Sequence, residues 1–282
     1  MADEALSAGA AARRLGVAVT TLRTWHQRYG LGPSRHEPGH HRRYTADDMD
    51  RLQVMQRLTT QGVAPAEAAA WALTRPGAAP AAAAAPESAT RGLLRAAMRL
   101  DVPAMRALLS TAVQDQGVIS AWTEVMTPAL IGVGERYEST QRFVEVEHLL
   151  SRTITEVLAS VPHPTGSPRI LLAAADEEQH TLPLEALAAA LGDAGVPSRM
   201  FGARVPPQAL QDAITRTGPA AVVLWSQRPA TGTPDQLTRV RDAPHPPLVV
   251  AAAGPGWPKD DLPPGITRFT GLPEAVQLLA AL

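Results

Sequence analysis

An acidic residue and a histidine stand two positions apart where an apolar run gives way to a helical pattern. In the stretch ILLAAADEEQHTLPLEALAAAL, residues 170–191, they are Glu178 and His180. An imidazole can ligate a borderline metal ion through one ring nitrogen while a nearby carboxylate orients the other nitrogen. Taken alone, a loop histidine of this kind favours a solvated side chain. The chemistry open to the pair is a metal site in which His180 is the ligand and Glu178 its hydrogen-bond partner.

The elements around this pair predict an α/β domain over residues 168–282. The apolar runs ILLAAA, SRMFGA, AAVVLW and PLVVAAAG alternate there with helical stretches. Such alternation predicts βαβ units and a parallel sheet that is covered by helices on both faces. Ligands of such Rossmann-like (flavodoxin-like) sheets bind beyond the carboxyl ends of the strands, and the loop DEEQHTLP follows the first strand. We therefore expect His180 to lie at the ligand-binding edge of the sheet.

Two proline-rich breaks divide the rest of the chain. The segment TRPGAAPAAAAAP, residues 74–86, predicts an extended linker at 76–87, and VPHPTGSPR ends the block that follows. Residues 88–162 have apolar positions at helical spacing and no strand-like alternation, which predicts a four-helix bundle. The chain is therefore expected to hold a domain at 1–75, the linker, the bundle and the α/β domain.

The composition limits the classes of protein to which the chain can belong. It has 282 residues and no cysteine, which excludes a disulfide framework and thiolate metal sites. The N-terminal residues contain no long apolar stretch, and no apolar run approaches the roughly 20 residues of a membrane span, so we expect a soluble, cytoplasmic protein. The net charge is -1, but residues 1–75 hold ten arginines against seven acidic residues. This local excess favours contact with nucleic acid.

The N-terminal block has the pattern of a helix-turn-helix followed by a wing. LSAGAAARRLGVAVTTLRTWHQRYG predicts two short helices joined at Gly16, and the basic segment GLGPSRHEPGHHRRYTADDMDRL predicts a wing that returns to a helix. A helical interaction module with solvated arginines is the alternative. The candidate DNA-binding residues lie on the second helix and the wing: Thr20, Arg23, Thr24, Gln27, Arg28, His41, Arg42, Arg43 and Tyr44.

This order resembles the winged-helix domain of MerR-type transcription regulators. The resemblance covers nearly all of residues 6–75, from the helix-turn-helix through GHHRRYTADD to the helices of LQVMQRLTTQGVAPAEAAAWAL. It implies that Arg23 and Gln27 lie in or beside the major groove of double-stranded DNA, and that Arg42 and Tyr44 contact phosphates. Many such proteins dimerise through a long helix after this domain. Because the linker cuts that helix short, we expect a homo-oligomer, a dimer or tetramer, to form through the later domains.

Three motifs of the α/β block resemble, in order, the cobalamin-binding fold. They are ExHxxP (residues 178–183), LWSQ with Ser226, and AAAGPGW with Gly254 and Gly256. The usual signature is an acidic residue, a His and a Gly in the first loop, then a Ser after an inner strand and a Gly pair after the next. The resemblance implies that His180 is the lower axial ligand of cobalt, that Ser226 bonds the buried dimethylbenzimidazole tail, and that the two glycines make room for it. Pro183 stands where the signature has its first-loop Gly.

The helical block resembles the cap of CarH/LitR-type light-dependent regulators, in which a Trp is followed ten residues later by Glu-His. In GERYESTQRFVEVEHLLS, Tyr137 stands at the Trp position, and Glu147 and His148 keep the pair. The resemblance implies that these residues cover the upper face of the cofactor and its adenosyl group. Glu138 replaces the cap His that captures cobalt after photolysis in that family. The candidate cofactor-binding residues of both blocks are Tyr137, Glu138, Val144, Glu147, His148, Glu178, His180, Thr181, Ser226, Gly254, Gly256 and Trp257.

The resemblance implies a transcription regulator, a repressor and not an enzyme, whose DNA affinity is set by a cobalamin-type cofactor between cap and α/β domain. Adenosylcobalamin with light as the signal is the family default. A second hypothesis, motivated by Tyr137, Glu138 and Pro183, is a regulator of the same architecture that takes methylcobalamin, a different tetrapyrrole or no cofactor. A third is the corrinoid carrier of a methyltransferase, against which the winged helix argues. The sequence shows no nucleophile–base constellation or Gly-rich phosphate loop.

Overall fold

The structure, a computed structural model, describes residues 6–34, 42–60, 62–74 and 86–282. The chain divides into two compact units, an N-terminal unit of residues 1–108 and a C-terminal unit of residues 109–282. The predicted order of a helix-turn-helix block, a helical block and an α/β block is confirmed. The bounds of the domains and of the linker stay predictions, and residues 75–85 of the linker lie outside the described residues.

The N-terminal unit is built from short helices around a small two-stranded ribbon. Its described elements are β1 (Leu6–Ser7), α1 (Ala8–Leu15), α2 (Val19–Tyr29), β2 (Arg43–Tyr44), α3 (Ala46–Thr60), α4 (Pro65–Thr74) and α5 (Pro86–Met98). The predicted turn is present at Gly16, whose φ of 64° ends α1 in the left-handed region that glycine tolerates. Leu22 and Trp25 of α2 pack inward with Leu52 and Met55 of α3. The opposite face of α2 is thereby left to solvent.

A buried aspartate joins the two sides of the wing segment. Asp48, in the first turn of α3, is 1% exposed. Its Oδ2 accepts hydrogen bonds from the backbone N–H and the hydroxyl of Ser34, both at 3.1 Å, and from the backbone N–H of Thr45 at 3.0 Å. The Thr45 hydroxyl in turn accepts from the backbone N–H of Asp48 at 3.2 Å, which completes a reciprocal helix cap. The residues before and after the wing are thus held by one carboxylate.

We expect Asp48→Ala to lower the free energy of unfolding by about 2 kcal/mol or more, because three donors of Ser34 and Thr45 lose a buried, charged acceptor. Thermal unfolding followed by circular dichroism measures the change. The control is Asp47→Ala, since Asp47 is the exposed neighbour in the same helical turn. An equal loss of stability in both variants would contradict the role of Asp48 in holding the wing.

The C-terminal unit places a helical block next to an α/β domain. Helix α6 (Val102–Ser120), which contains the unit boundary and is interrupted at Gly117, is followed by a π-helical turn (Ala121–Met126), α7 (Thr127–Thr140) and α8 (Val144–Ala159). The α/β elements are β3 (Ile170–Ala174), α9 (Leu182–Asp193), β4 (Ser198–Met200), α10 (Pro207–Thr217), β5 (Ala221–Trp225), α11 (Pro234–Arg241), β6 (Val249–Ala253), β7 (Ile266–Phe269) and α12 (Leu272–Ala280).

The five strands form one parallel sheet in the order β4-β3-β5-β6-β7. This is the flavodoxin-like order, in which the chain reverses direction across the sheet at its first strand. The register sets Ala174, Trp225 and Ala253 side by side at the carboxyl ends of β3, β5 and β6. The loops that follow these three strands, which carry the three motifs of the sequence, therefore meet at one edge.

Candidate functional site

The hydrogen bonds at the carboxyl edge of the sheet converge on the carboxylate of Glu178. Glu178 is 1% exposed. Its Oε1 lies 2.9 Å from the backbone nitrogen of His180 and 2.5 Å from the Nδ1 of the same residue. Its Oε2 accepts from the Thr231 hydroxyl at 2.6 Å and from the backbone N–H groups of Gln227 at 2.8 Å and Arg228 at 3.3 Å. One side chain thus joins the loops after β3 and β5.

The protonation of this pair follows from its hydrogen bonds. Burial alone would raise the pKa of Glu178, but the hydrogen bonds from Thr231, His180 and Gln227 outweigh burial and lower the pKa to about 2. The carboxylate is therefore ionised at neutral pH and can only accept. The proton between the two side chains lies on Nδ1 of His180, so in a neutral ring Nε2 keeps its lone pair. The His180 side chain is 53% exposed, which leaves that nitrogen open to a ligand.

Ser226 and the glycines pack tightly behind the pair. The Ser226 hydroxyl donates to the carbonyl oxygen of Arg228 at 3.0 Å and lies 2.8 Å from the Thr231 hydroxyl. A Cβ on Gly254 would lie 2.3 Å from the carbonyl oxygen of Ser226, and one on Gly256 would lie 2.3 Å from its Oγ. Only glycine fits at either position, because real Cβ atoms do not approach so closely. The Gly-Pro-Gly stretch thus brings the loops after β5 and β6 into direct contact.

A cavity of about 1050 Å³ lies within the C-terminal unit, between its helical block and the carboxyl edge of the sheet. That volume is at the upper end of the roughly 300–1,000 Å³ usual for small-molecule sites. His180, Gln227 and Gly254 line it from the sheet edge, and the helical block contributes Trp122 and Glu147. The cavity can therefore hold a large, mostly apolar ligand against an imidazole.

Pro183, which replaces the glycine of the signature, fits this edge without distortion. It lies in the first turn of α9, where the missing N–H of proline has no helical partner to lose. It also lines the cavity, together with Thr181 and Leu182. The substitution therefore stiffens the rim of the cavity and leaves the cavity open.

The structure divides the predicted cofactor residues into three groups. Glu147, His180, Thr181 and Gly254 line the cavity. Four are buried behind this lining: Glu178, Ser226, Gly256 and Trp257. The other four, which the described lining does not include, are exposed on the helical block: Tyr137, Glu138, Val144 and His148. The Glu147–His148 pair is therefore split, since adjacent residues of a helix point about 100° apart.

Sequence reasoning did not identify several of the residues that line the cavity. Trp122 is one of the apolar residues whose helical spacing predicts the bundle, and it lies on the π-helical turn and lines the cavity. Single π-helical turns within α-helices are frequent at functional sites. A polar stripe was the available signal on α8, where Glu147, Ser151 and Thr155 recur every four residues and all line the cavity. The Ser151 hydroxyl donates to Glu147 Oε1 at 2.7 Å.

The candidate DNA-binding residues on α2 share one solvent-facing surface. All five are exposed: Thr20, Arg23, Thr24, Gln27 and Arg28. On β2, Arg43 is exposed and Arg42, just before it, is half-buried. Tyr44 differs from the expectation, since it is 1% exposed and packs in the core, where burial raises the pKa of its phenol. We therefore assign Tyr44 to packing and not to phosphate contact. His41 lies outside the described residues.

Comparison with known proteins decides the family. The model of the MerR HTH family regulatory protein matches residues 6–72, and the model of the B12 binding domain matches residues 89–161. The chain is 33% identical over 262 residues to the HTH-type transcriptional repressor CarH of Myxococcus xanthus, with 86% of each chain covered. This chain belongs to the CarH family. It is thus a MerR-type member with a B12 binding domain.

A solved structure is similar to the CarH-family chain in fold. The monomethylamine corrinoid protein of Methanosarcina barkeri matches with a TM-score of 0.56 at 14% identity, over 70% of this chain and 99% of that chain. At so low an identity the match shows the fold alone. Across the described residues, no helix is long and apolar enough to cross a membrane.

Proposed function

We propose that this CarH-family protein is a cytoplasmic transcriptional repressor that binds double-stranded operator DNA and is controlled by a cobalamin-type cofactor bound in its C-terminal unit. The observation that carries the proposal is the Glu178–His180 pair, whose imidazole is bonded to Glu178 through Nδ1 and lines a cavity of about 1050 Å³. Regulation, and not enzymatic turnover, is the activity that we assign to it. A homo-oligomer is part of this proposal, because linking several winged helices multiplies modest site affinities.

The residues around the cavity fit such a cofactor. His180 would offer Nε2 to cobalt, and Glu178 fixes the ring through Nδ1, which is the usual way in which proteins orient a histidine ligand. The apolar rim that Leu182, Leu184 and Leu187 form on α9, together with Leu272 and Ala275 of α12, suits the nucleotide tail of a corrinoid. When bound as adenosylcobalamin, the cofactor supplies a light-sensitive cobalt–carbon bond.

In this proposal, the side chains that the helical block contributes to the cavity wall detect the signal. Glu147, Ser151 and Trp122 line the same cavity as His180, so the group that occupies the cavity would determine their surroundings. A ligand shifts an equilibrium only by its differential affinity for two states. We therefore expect these three side chains to distinguish cofactors that differ on their upper face.

We expect Trp122→Ala to lower the affinity for adenosylcobalamin by about tenfold, because a large aromatic contact is lost from the cavity wall. Tyr137→Ala is the matched control, since Tyr137 is exposed outside the described lining, and it should change the affinity by less than about twofold. Titration followed by visible absorbance in the dark gives both values. If Tyr137→Ala weakened binding more than Trp122→Ala, then Tyr137 and not Trp122 would be the aromatic residue that contacts the cofactor.

A second candidate is a regulator that responds to the supply of cobalamin and not to light. The exposed positions of Tyr137, Glu138 and His148 favour it, because the residues that the resemblance places over the adenosyl group do not line the described cavity. Illumination separates the two candidates. A light sensor changes its spectrum and its DNA affinity irreversibly in light, whereas a supply sensor keeps the same DNA affinity in dark and light.

The experiment that tests the cofactor is retention of adenosylcobalamin. The purified chain is mixed with adenosylcobalamin in the dark, desalted and scanned from 300 to 700 nm on the order of minutes later, a time that loosely bound ligand does not survive. A corrin band that elutes with the protein supports the proposal. A colourless protein that still binds DNA would overturn the cofactor and leave a MerR-type regulator with another signal.

A further inference from the structure

Two positively charged side chains lie on the wall that the α/β domain contributes to the cavity. Lys259 comes from the loop after β6, and Arg268 lies on β7. Within the described lining from Gln179 to Ala275 these are the charged residues apart from the titratable His180. The acidic neighbours in sequence, Asp260 and Asp261, are outside that lining. This part of the wall is therefore positive.

A hydrogen bond links the two segments that carry these cations. A guanidinium N–H of Arg268 donates to the carbonyl oxygen of Pro258, the residue that precedes Lys259. Strand β7 and the loop are thus tied together beside the cavity. A guanidinium has five N–H donors in a fixed planar arrangement, so this one bond leaves most of them for a ligand. Arg268 is half-buried, which makes a counter-charge valuable to it.

The carboxylate of Glu274, on the helix that follows β7, is engaged by its own helical turn. Glu274, in the first turn of α12, accepts from the backbone N–H of Thr270 at 3.0 Å and from its hydroxyl at 2.5 Å. For the described part of the chain, neither Lys259 nor Arg268 has an ion pair within 4.0 Å. The apolar Leu272 and Leu187 line the same cavity. The wall thus combines positive charge with an apolar cleft.

We propose that Lys259 and Arg268 bind the phosphodiester of a nucleotide-bearing corrinoid, so that this site selects complete cobalamin over cobinamide, which lacks the nucleotide. The inference rests on the proposed function, since it concerns the same cavity. An arginine offers two parallel N–H groups to a phosphate, and a lysine offers a mobile point charge. The apolar cleft between α9 and α12 accepts the aromatic base that the phosphodiester carries.

The test compares three ligands on the full chain by titration and equilibrium dialysis in the dark: cyanocobalamin, dicyanocobinamide and adenosine monophosphate. The Lys259→Gln/Arg268→Gln variant should bind cyanocobalamin at least about tenfold more weakly and the cobinamide within about twofold of the wild type. Added salt should weaken cyanocobalamin more than the cobinamide. The charge-preserving Lys259→Arg variant, which leaves Arg268 in place, should keep most of the preference.

The outcomes separate this inference from the proposed function. Equal losses for both corrinoids in the Gln variant, or an unchanged preference, overturn the phosphate site while cobalamin binding stands. Loss of adenosine monophosphate binding with unchanged cobalamin affinity overturns it in favour of a free-nucleotide site. A wild type that binds neither corrinoid overturns the proposed function and this inference together. If the Arg268 substitution unfolds the chain, the single variant Lys259→Gln, at an exposed position, tests the same preference between the two corrinoids.

Discussion

His180→Ala is expected to bind cobalamin at least about 100-fold more weakly than the wild type while keeping its fold. Loss of a partner that merely orients a metal ligand weakens metal affinity by about 10–100-fold, so loss of the ligand itself should exceed that range. The side chain is half exposed and its ring makes one hydrogen bond to Glu178, so little packing is lost with it. Visible absorbance during a dark titration measures both the affinity and the coordination of the bound cobalt.

The matched control is His245→Ala, an exposed histidine of the same domain that the described cavity lining does not include. It should leave the affinity and the spectrum unchanged. Added imidazole should restore part of the wild-type spectrum to His180→Ala, because the missing nitrogen can then come from solution. If His180→Ala bound cobalamin with the affinity and spectrum of the wild type, His180 would not be the lower ligand.

Glu178→Gln is expected to lower both the stability of the C-terminal unit and its affinity for cobalamin. The carboxylate accepts from five donors, and an amide in its place would direct an NH₂ group at some of them. Hydrogen bonds to charged groups are worth about 1.5–3 kcal/mol each, so we expect a loss of about 3 kcal/mol or more in the free energy of unfolding. Urea unfolding and a cobalamin titration give the two effects.

The adjacent Glu177 supplies the control. It is exposed and pairs with Arg204 at 2.5 Å on the surface, where such pairs contribute about 0–1 kcal/mol. Glu177→Gln should therefore unfold near the wild-type urea concentration and bind cobalamin normally. If the two variants lost the same stability, the buried network around Glu178 would not be what holds the loops together.

The part of the site that the sequence could predict is local. Glu178 and His180 are two residues apart in one loop, so their pairing depends on little else, and the predicted hydrogen bond is present. The glycines at 254 and 256 were expected to make room for the nucleotide tail, which stays a prediction; the contacts that a Cβ would make with Ser226 give a packing reason for both glycines. These features are set by a few neighbouring residues and by the register of a parallel sheet.

The part that the sequence did not predict depends on how distant elements face each other. Spacing along α7 and α8 relates Tyr137 to Glu147 but does not fix which side of each helix meets the cavity. The π-helical turn changes the rotation of the chain and brings Trp122 to the wall. Arg268 is brought close to Lys259 by the pairing of β6 with β7 and by a side chain–backbone hydrogen bond to Pro258, neither of which spacing along the chain reveals. Tyr44 follows two arginines in a basic segment and was expected to contact phosphate, yet its ring is buried in the small core of the N-terminal unit.

Cobalamin bound in the C-terminal unit is expected to control DNA binding by the N-terminal unit. The most direct measurement is fluorescence anisotropy of a labelled duplex from upstream of this protein's own gene, titrated with the chain alone and with adenosylcobalamin, in the dark and in light. The account predicts that the cofactor changes DNA affinity by about fivefold or more, the usual range of coupling between two sites, and that His180→Ala is insensitive to it. The same affinity with and without cobalamin, for a protein shown to retain it, would contradict the account.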